Sequence, residues 1–570
     1  MPFTTIRVMR HFFHIDEEGA RLIEKLSERQ RRLTLGAVDY NALIQPGRTL
    51  TYKLYMGQKW QYPRLTDTST LDGVLTEQAG LEPFAVFQAT SSVKEKSYFS
   101  PHYFAGDEQL VDRNIRCLLL TPDDATDDDV EQNRPVDRHA RLYRKVESKA
   151  PAFFDMLREA KRVQRERIGK TAIAPFEPAT ITRVNESGYS HHPWVEIVPG
   201  KAAPDAPKAV IIAMHWLQSG GAERWAMETV TLARQAGLLP IIITDSDGHQ
   251  PWITRHEFDD AVLLPLTLPL QDRVGDATLL RALFEQFNIV GVLIHHCQWM
   301  YDNVWWVKRY FPETHVVDSL HIVEYIFHGG YPSESVARDK WIDIHHVISP
   351  QLEHWMEDVH HIDPKKVVDA PLVGLTADSK TPTFKSRDIS KPLTISFVGR
   401  NVRQKRPETF ILAVRELNKK FPGKLRFIMQ GNGDMDEFVD RLIERYGLGT
   451  VIQRCSMSTP VSQTYAQTDI LLVSSMNEGI TLTTIEAVSA GIPVISSNVG
   501  SQDTLVPPQG LCRRGSAQFV HDATAIVGRV LESEENRKKL WEAEKDRLEK
   551  FSELQSANEY FRNMLTEWSH

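Results

Sequence analysis

The sequence predicts an α/β protein of two Rossmann-like domains in tandem, preceded by an α+β extension. Three observations carry that expectation. A chain of 570 residues is too long for one core, because cores stop growing near ~250–300 residues. From Ala209 onward short apolar runs alternate with stretches of helical period, the pattern of parallel βαβ units. The alternation breaks at Ser386–Pro392 and then restarts.

Composition narrows the classes. Hydrophobic residues make up 41% and charged residues 25%, the balance of a packed chain rather than a disordered one. The formal net charge of −8 leaves no chain-wide footprint for nucleic acid. Cys117, Cys297, Cys455 and Cys512 stand far apart with no CxxC pair. Neither a zinc site nor a disulfide framework is expected, and a reducing cytoplasm fits. The opening MPFTTIRVMRHFFHIDEE lacks the apolar run of a secretory signal, and no ~18-residue apolar stretch occurs. The chain is expected to be cytoplasmic, at most peripheral at the inner face of a membrane. No fixed-period repeat occurs, which sets aside solenoids and propellers.

In chain order, residues 1–205 mix helical stretches such as Glu17–Leu35 with strand-like ones at Leu50–Trp60 and Pro83–Gln88. The run Asp123–Glu131 (DDATDDDVE) reads as a solvated loop, since clustered carboxylates repel. Phe153, Phe154 and Leu157, followed by Arg158, Lys161, Arg162, Arg165, Arg167 and Lys170, read as a basic helix: either a solvated linker or a membrane-docking face. An acceptor-binding or oligomerisation domain is the other reading of the extension. Segment 198–208 (VPGKAAPDAPK) is a linker, because prolines fix φ and remove donors. The first α/β domain, 206–390, has strands at Ala209–Met214, Pro240–Thr244, Val290–Ile294, His315–Val317 and His346–Ile348, with a helix at Ala222–Gln235. The second, 391–550, has strands at Leu393–Val398, Leu425–Met429, Ile470–Val473 and Pro493–Ser496. Helices at Pro407–Lys419, Met435–Tyr446 and Thr483–Ala490 connect them. Residues 551–570 close the chain with a helix, Leu554–Trp568.

Ligands in such sheets bind beyond the carboxyl ends of the strands, so the chemistry belongs in post-strand loops. One loop runs from Glu478 to Ala487, with Glu478 and Glu486 separated by seven residues. Gly479 lets it turn into a helix, so the free amides of Ile480, Thr481 and Leu482 can face a phosphate or a sugar hydroxyl. Glu486 follows about one turn later, and its two acceptor oxygens suit the two hydroxyls of a ribose. A second loop begins at Gly399 and carries Arg400 and Lys405, cations able to oppose negative charge on a ligand. A third, Gly220-Gly221-Ala222-Glu223-Arg224, follows the first strand of the first domain; its glycines allow backbone to approach a phosphate. His321 follows another strand, with His295, His296 and His328 as competitors for a cleft role. Gln430-Gly431-Asn432-Gly433 forms a further turn.

The segment SSMNEGITLTTIEAVSAGIPVISSNVGS resembles the E-x7-E region of retaining glycosyltransferases of the GT-B fold, family 4 in particular. The likeness extends over residues 209–530 and leaves out the first two hundred. It implies that Glu486 holds the nucleotide ribose and Glu478 the donor sugar. It further implies that Arg400 and Lys405 bind the diphosphate, with Gly220, Gly221, Gly399, Gly431 and Gly433 lining it, and that His321 contacts the donor sugar. The C-terminal helix would cross back to the first domain. Ile480-Thr481 replaces a common Phe-Gly, and Gly500-Ser501-Gln502-Asp503-Thr504 departs from a common Gly-Gly-x-x-Glu; the donor sugar is therefore open. The implied activity is transfer of a hexosyl unit from a UDP- or GDP-sugar to an acceptor hydroxyl of a glycan, lipid-linked glycan or protein, with retention and without metal or other cofactor. A nucleotide-sugar epimerase or phosphorylase on the same fold, or a non-catalytic partner subunit, are the alternatives.

Overall fold

Runs such as Ala209–Met214, apolar at every position, can sit only inside a sheet covered on both faces. The computed structural model describes residues 11–57, 82–93, 115–124, 143, 145–168, 172–178, 199–218, 220–246, 248–266, 276–372, 382–456 and 459–570. Most of the acidic run after Asp124, together with Lys170 and Ser219, lies outside the described residues.

Three sheets organise the chain. The extension contributes β1 (Phe13–Ile15), β2 (Thr49–Met56), β3 (Ala85–Ser91) and β4 (Ile115–Leu120), in the order β1-β3-β2-β4. The first lobe holds β5 (Lys208–Met214), β6 (Leu239–Thr244), β7 (Val262–Pro265), β8 (Asn288–His295), β9 (His315–Leu320), β10 (Ile344–Val347) and β11 (Val367–Asp369). Their order is β11-β10-β9-β8-β5-β6-β7, and every pairing is parallel. The second lobe holds β12 (Leu393–Val398), β13 (Leu425–Gln430), β14 (Ile452–Cys455), β15 (Ile470–Val473), β16 (Val494–Ser497) and β17 (Leu511–Cys512), parallel in the order β14-β13-β12-β15-β16-β17. Both lobes are Rossmann-like, and together they make a GT-B fold. β7, β11, β14 and β17 are short edge or near-edge strands whose apolar runs are too brief to stand out in sequence.

The extension is packed scaffold. The stretch Glu17–Leu35 divides into two helices, Glu17–Glu24 and Glu28–Ile44. Ser27 breaks it, its side chain accepting from the Gln30 amide at 3.2 Å as an N-cap. The second helix is buried on most sides, which requires partners all round. It lies between its own sheet and the first lobe. A Cβ added at Gly36 would stand 2.6 Å from Leu263 O, so glycine sets this approach. Arg29 donates to His249 O at 2.8 Å, and Arg32 reaches Asp259 at 2.6 Å.

The basic stretch is not a freestanding helix. Residues Pro151–Ile168 are helical and pack against the second-lobe helix Ser516–Glu532 and the first-lobe turn Tyr325–Phe327. Arg162 is buried between Glu159 (2.7 Å) and Glu166 (2.5 Å), and Arg158 pairs with buried Glu147 at 2.5 Å. Arg158 and Arg162 are thus spent on internal carboxylates, which corrects the solvated-linker reading, while Phe153 and Leu157 remain exposed. Downstream, Phe176 stacks under Arg338 at 4.1 Å and meets Trp341, tying this segment to the first lobe.

The final helix, Ala557–Ser569, packs on the first lobe. Phe561 meets Trp225 edge-on at 5.0 Å, and Trp568 stacks on His315 at 5.1 Å. A Cβ at Gly291 would fall 2.3 Å from the Trp568 ring, so glycine there leaves the space the indole fills. Replacing Trp568, which is 8% exposed, by alanine is expected to cost about 3 kcal/mol or more. A lowered urea midpoint with an unchanged slope checks this.

Candidate active site

In the second lobe the strand order reverses between β12 and β15, where the chains leaving adjacent strands diverge and open a crevice. The loop after β12 carries Gly399–Arg406, and the loop after β15 leads to Glu478. They meet there: Lys405 Nζ lies 2.6 Å from Glu478 Oε1. Glu478 is buried, while Lys405 keeps 22% of its side chain exposed. Arg400 is exposed, and its side chain makes no hydrogen bond or ion pair among the described residues. The Met476 amide donates to Gln404 O at 2.7 Å, joining the two loops backbone to backbone. The glycine turn after β13 presses on the same loop. A Cβ at Gly431 would fall 1.8 Å from Gly399 O, and one at Gly433 2.5 Å from Asn401 O.

The chain past Glu478 enters the helix Leu482–Ser489. The amides of Ile480, Thr481 and Leu482 donate to no protein acceptor among the described residues. This loop also faces the first lobe. Asn477 donates to Val323 O at 2.8 Å, and a Cβ at Gly479 would stand 1.8 Å from His321 O. Gly221, at the start of the helix Gly221–Gln235, lies where an added Cβ would touch Leu482 Cδ1 at 3.4 Å, with Gly220 as the N-cap before it. Glu486 accepts from Tyr465 at 3.0 Å and from first-lobe Arg224 at 3.4 Å. Burial pushes the Glu486 carboxyl up, with Tyr465 and Arg224 opposing. The predicted loops therefore converge on one interlobe cleft. Arg224 stood in a quoted motif without a role, and Tyr465 carried no signal in sequence; both reach Glu486 only through tertiary packing.

The facing wall is rich in imidazole. His215 follows β5, His296 follows β8 and His321 follows β9. His321 is buried beside Ser319 Oγ (3.2 Å), edge-on to His296 at 5.0 Å. His296 stacks on Tyr331 at 4.7 Å. Burial, then the neighbouring histidines, push His321 well below its ordinary value, so it stays neutral and acts as a hydrogen-bonding group. Glu223 receives Trp216 Nε1 at 2.6 Å and sits 3.0 Å from His215. Burial pushes that carboxyl up, but His215 and Trp216 more than reverse this and bring it to about 2. Of the competitors, His295 is turned inward onto Thr229 (3.1 Å), and His328 is exposed. Among the described residues no group of three or more His, Cys, Asp or Glu is arranged to hold a metal ion.

This wall makes stability pH-dependent. Burial pushes His295 and His296 down to about 3 and His346 to about 4. Unfolding frees these imidazoles to take up protons below about pH 6.5. The unfolded chain then binds more protons than the folded one, so stability falls as pH drops from about 6.5 towards 4, each histidine adding up to about 1.4 kcal/mol per pH unit. His345 acts in the opposite sense: burial pulls it down, but Asp318 and Asp339 raise it above its ordinary value. Because buried carboxylates such as Asp369, pushed up to about 7, oppose this trend, the check is a comparison with His296→Gln: from pH 6 to 5 the wild-type urea midpoint should fall more than the variant's, and equal changes would remove the claim.

Residues 379–547 match the family described as Glycosyl transferases group 1. The chain is 28% identical over 237 residues to a D-inositol 3-phosphate glycosyltransferase of Corynebacterium kroppenstedtii, a match covering 36% of this chain and 52% of that protein. It is 30% identical over 134 residues to the GtfA subunit of a Streptococcus pneumoniae UDP-N-acetylglucosamine–peptide N-acetylglucosaminyltransferase, covering 24% of this chain and 25% of that one. A solved structure of Anabaena HepE in complex with UDP aligns with a TM-score of 0.48 at 12% identity, over 63% of this chain and 98% of that one. The chain thus spans about half the length, or less, of these two relatives. The family match thus falls on the second lobe, the one that carries Arg400, Lys405, Glu478 and Glu486.

Proposed function

We propose that this protein transfers a hexosyl unit from a UDP- or GDP-sugar to an acceptor hydroxyl, retaining the anomeric configuration and needing no metal. The acceptor would be a glycan, lipid-linked glycan or protein in polysaccharide, glycolipid or glycoprotein synthesis. The observation that carries the reading is the meeting of Lys405 and Glu478 at 2.6 Å in the interlobe cleft, beside exposed Arg400 and the free amides that open the helix Leu482–Ser489.

Each group then has a task. Lysine has three donors and Glu478 takes one, so Lys405 retains donors for a phosphate oxygen. Arg400 adds a second cation where charge develops on the departing diphosphate. Glu478 accepts from a sugar hydroxyl, Glu486 from the ribose, and neutral His321 orients the sugar. As the bond from the anomeric carbon to the phosphate oxygen breaks, the acceptor oxygen bonds to that carbon on the same face, and its proton passes to the leaving phosphate. The names of the relatives, a D-inositol 3-phosphate glycosyltransferase and a peptide N-acetylglucosaminyltransferase subunit, are consistent with this reaction class.

A panel of UDP- and GDP-sugars tests the proposal, with thermal shift reporting binding and released nucleoside diphosphate reporting transfer. Release that requires an acceptor, persists in EDTA and gives product with the donor's anomeric configuration is expected. No thermal shift and no release with any donor would overturn it.

A further inference from the structure

Arg406 lies in the left-handed region at φ 48°, where an arginine is uncommon, and it is fully buried. Its guanidinium donates to Ser474 O (2.7 Å), Ser475 O (3.2 Å) and Arg514 O (2.6 Å). Carbonyls satisfy its donors but do not balance its charge, and a buried cation needs a counter-charge. Asp155 of the extension helix Pro151–Ile168 supplies one at 3.2 Å, while accepting from the Ser516 amide.

The arrangement recurs three residues earlier. Arg403 forms a two-pronged pair with extension Glu147, at 2.7 and 3.0 Å, and reaches Glu408 at 3.1 Å. Glu147 also pairs with Arg158. Glu147, Asp155 and Glu408 are all buried. The extension thus brings two carboxylates and one arginine to a cluster in which the second lobe provides two arginines and one carboxylate. Neither side is neutral without the other.

Arg403 and Arg406 bracket Lys405, and Arg403–Lys405 forms a single 3-10 turn. Ser474 Oγ donates to Lys405 O and Arg406 O at 3.0 and 3.1 Å. Anchoring the guanidinium on either side leaves this turn little freedom, and a two-pronged arginine–carboxylate pair fixes direction as well as distance. We infer that Glu147 and Asp155 are positioning residues of the diphosphate subsite: through Arg403 and Arg406 they set where Lys405 presents its ammonium. The N-terminal extension is then a working part of the donor site. This rests on the proposed role of Lys405 as a phosphate ligand.

The test uses the full chain with E147Q, R403K, K405A and the double variant E147Q/K405A. Calorimetry measures binding of UDP, GDP, UMP and GMP, and circular dichroism verifies folding. E147Q and R403K should each weaken the preferred diphosphate about tenfold while moving the matching monophosphate far less, because only the diphosphate carries the outer phosphate that Lys405 would hold. In the K405A background E147Q should change nothing further. If E147Q does not fold, R403K, which keeps the charge and loses the fork, carries the same comparison. Equal losses for mono- and diphosphate, additive losses in the double variant, or unchanged affinity in R403K would overturn the inference while leaving the function standing. Wild-type protein that binds no nucleotide, or K405A that binds like wild type, would instead overturn the reading of Lys405, and the inference with it.

Discussion

Replacing Arg400 by alanine is expected to lower turnover of the nucleotide sugar about 10²–10³-fold while shifting the melting temperature by no more than about 2 °C. The two effects separate because Arg400 is exposed and its side chain makes no hydrogen bond or ion pair among the described residues, so truncating that side chain breaks nothing in the folded chain. Its energy would appear only when diphosphate charge develops beside it. Lys405 should behave differently. Its removal would lower turnover by a similar factor, but it would also leave buried Glu478 without the cation at 2.6 Å. That adds a stability loss of about 1–3 kcal/mol. Steady-state kinetics with melting curves on both variants check the pair. Full turnover in R400A would remove the cation from the mechanism.

Gly479→Ala is expected to cost about 100-fold in turnover through geometry alone. The new methyl would stand 1.8 Å from the backbone carbonyl of His321, on the opposite lobe. No side chain can rotate out of the way, so either the lobes part or the loop bearing Glu478 moves. A displacement near 1 Å at reacting groups costs on the order of 100-fold. Each lobe keeps its own sheet, so the protein should still fold. Gly449→Ala is the control, since a Cβ there meets nothing within 4 Å. If G479A turned over like G449A, Gly479 would have no part in shaping the cleft.

Much of this site was legible before any coordinates. Glu478 and Glu486, Arg400 and Lys405, and the Gly220-Gly221 turn all follow strands of strong apolar character, and the structure gathers them at one cleft. Local chemistry explains why. A run such as Leu393–Val398 must be a buried strand, and a parallel sheet carries its sites at the strand ends. The two helices in place of Glu17–Leu35 were missed because the Ser27 cap is a short-range signal inside a continuous helical period. The inward pairing of Arg158 was not legible for another reason: charge pattern alone cannot distinguish a cation facing solvent from one facing a buried carboxylate.

By itself the amino-acid sequence determined which residues become strands and helices in the two lobes and which loops carry the charge. Those properties depend on apolar period and turn chemistry within a few residues. Tertiary structure alone decided the partners: Glu147 with Arg403 and Asp155 with Arg406, both across more than 240 positions, and Arg224 with Glu486 across the cleft. A buried ion pair is selected by burial and by the exclusion of water, and both exist only once separate elements have packed.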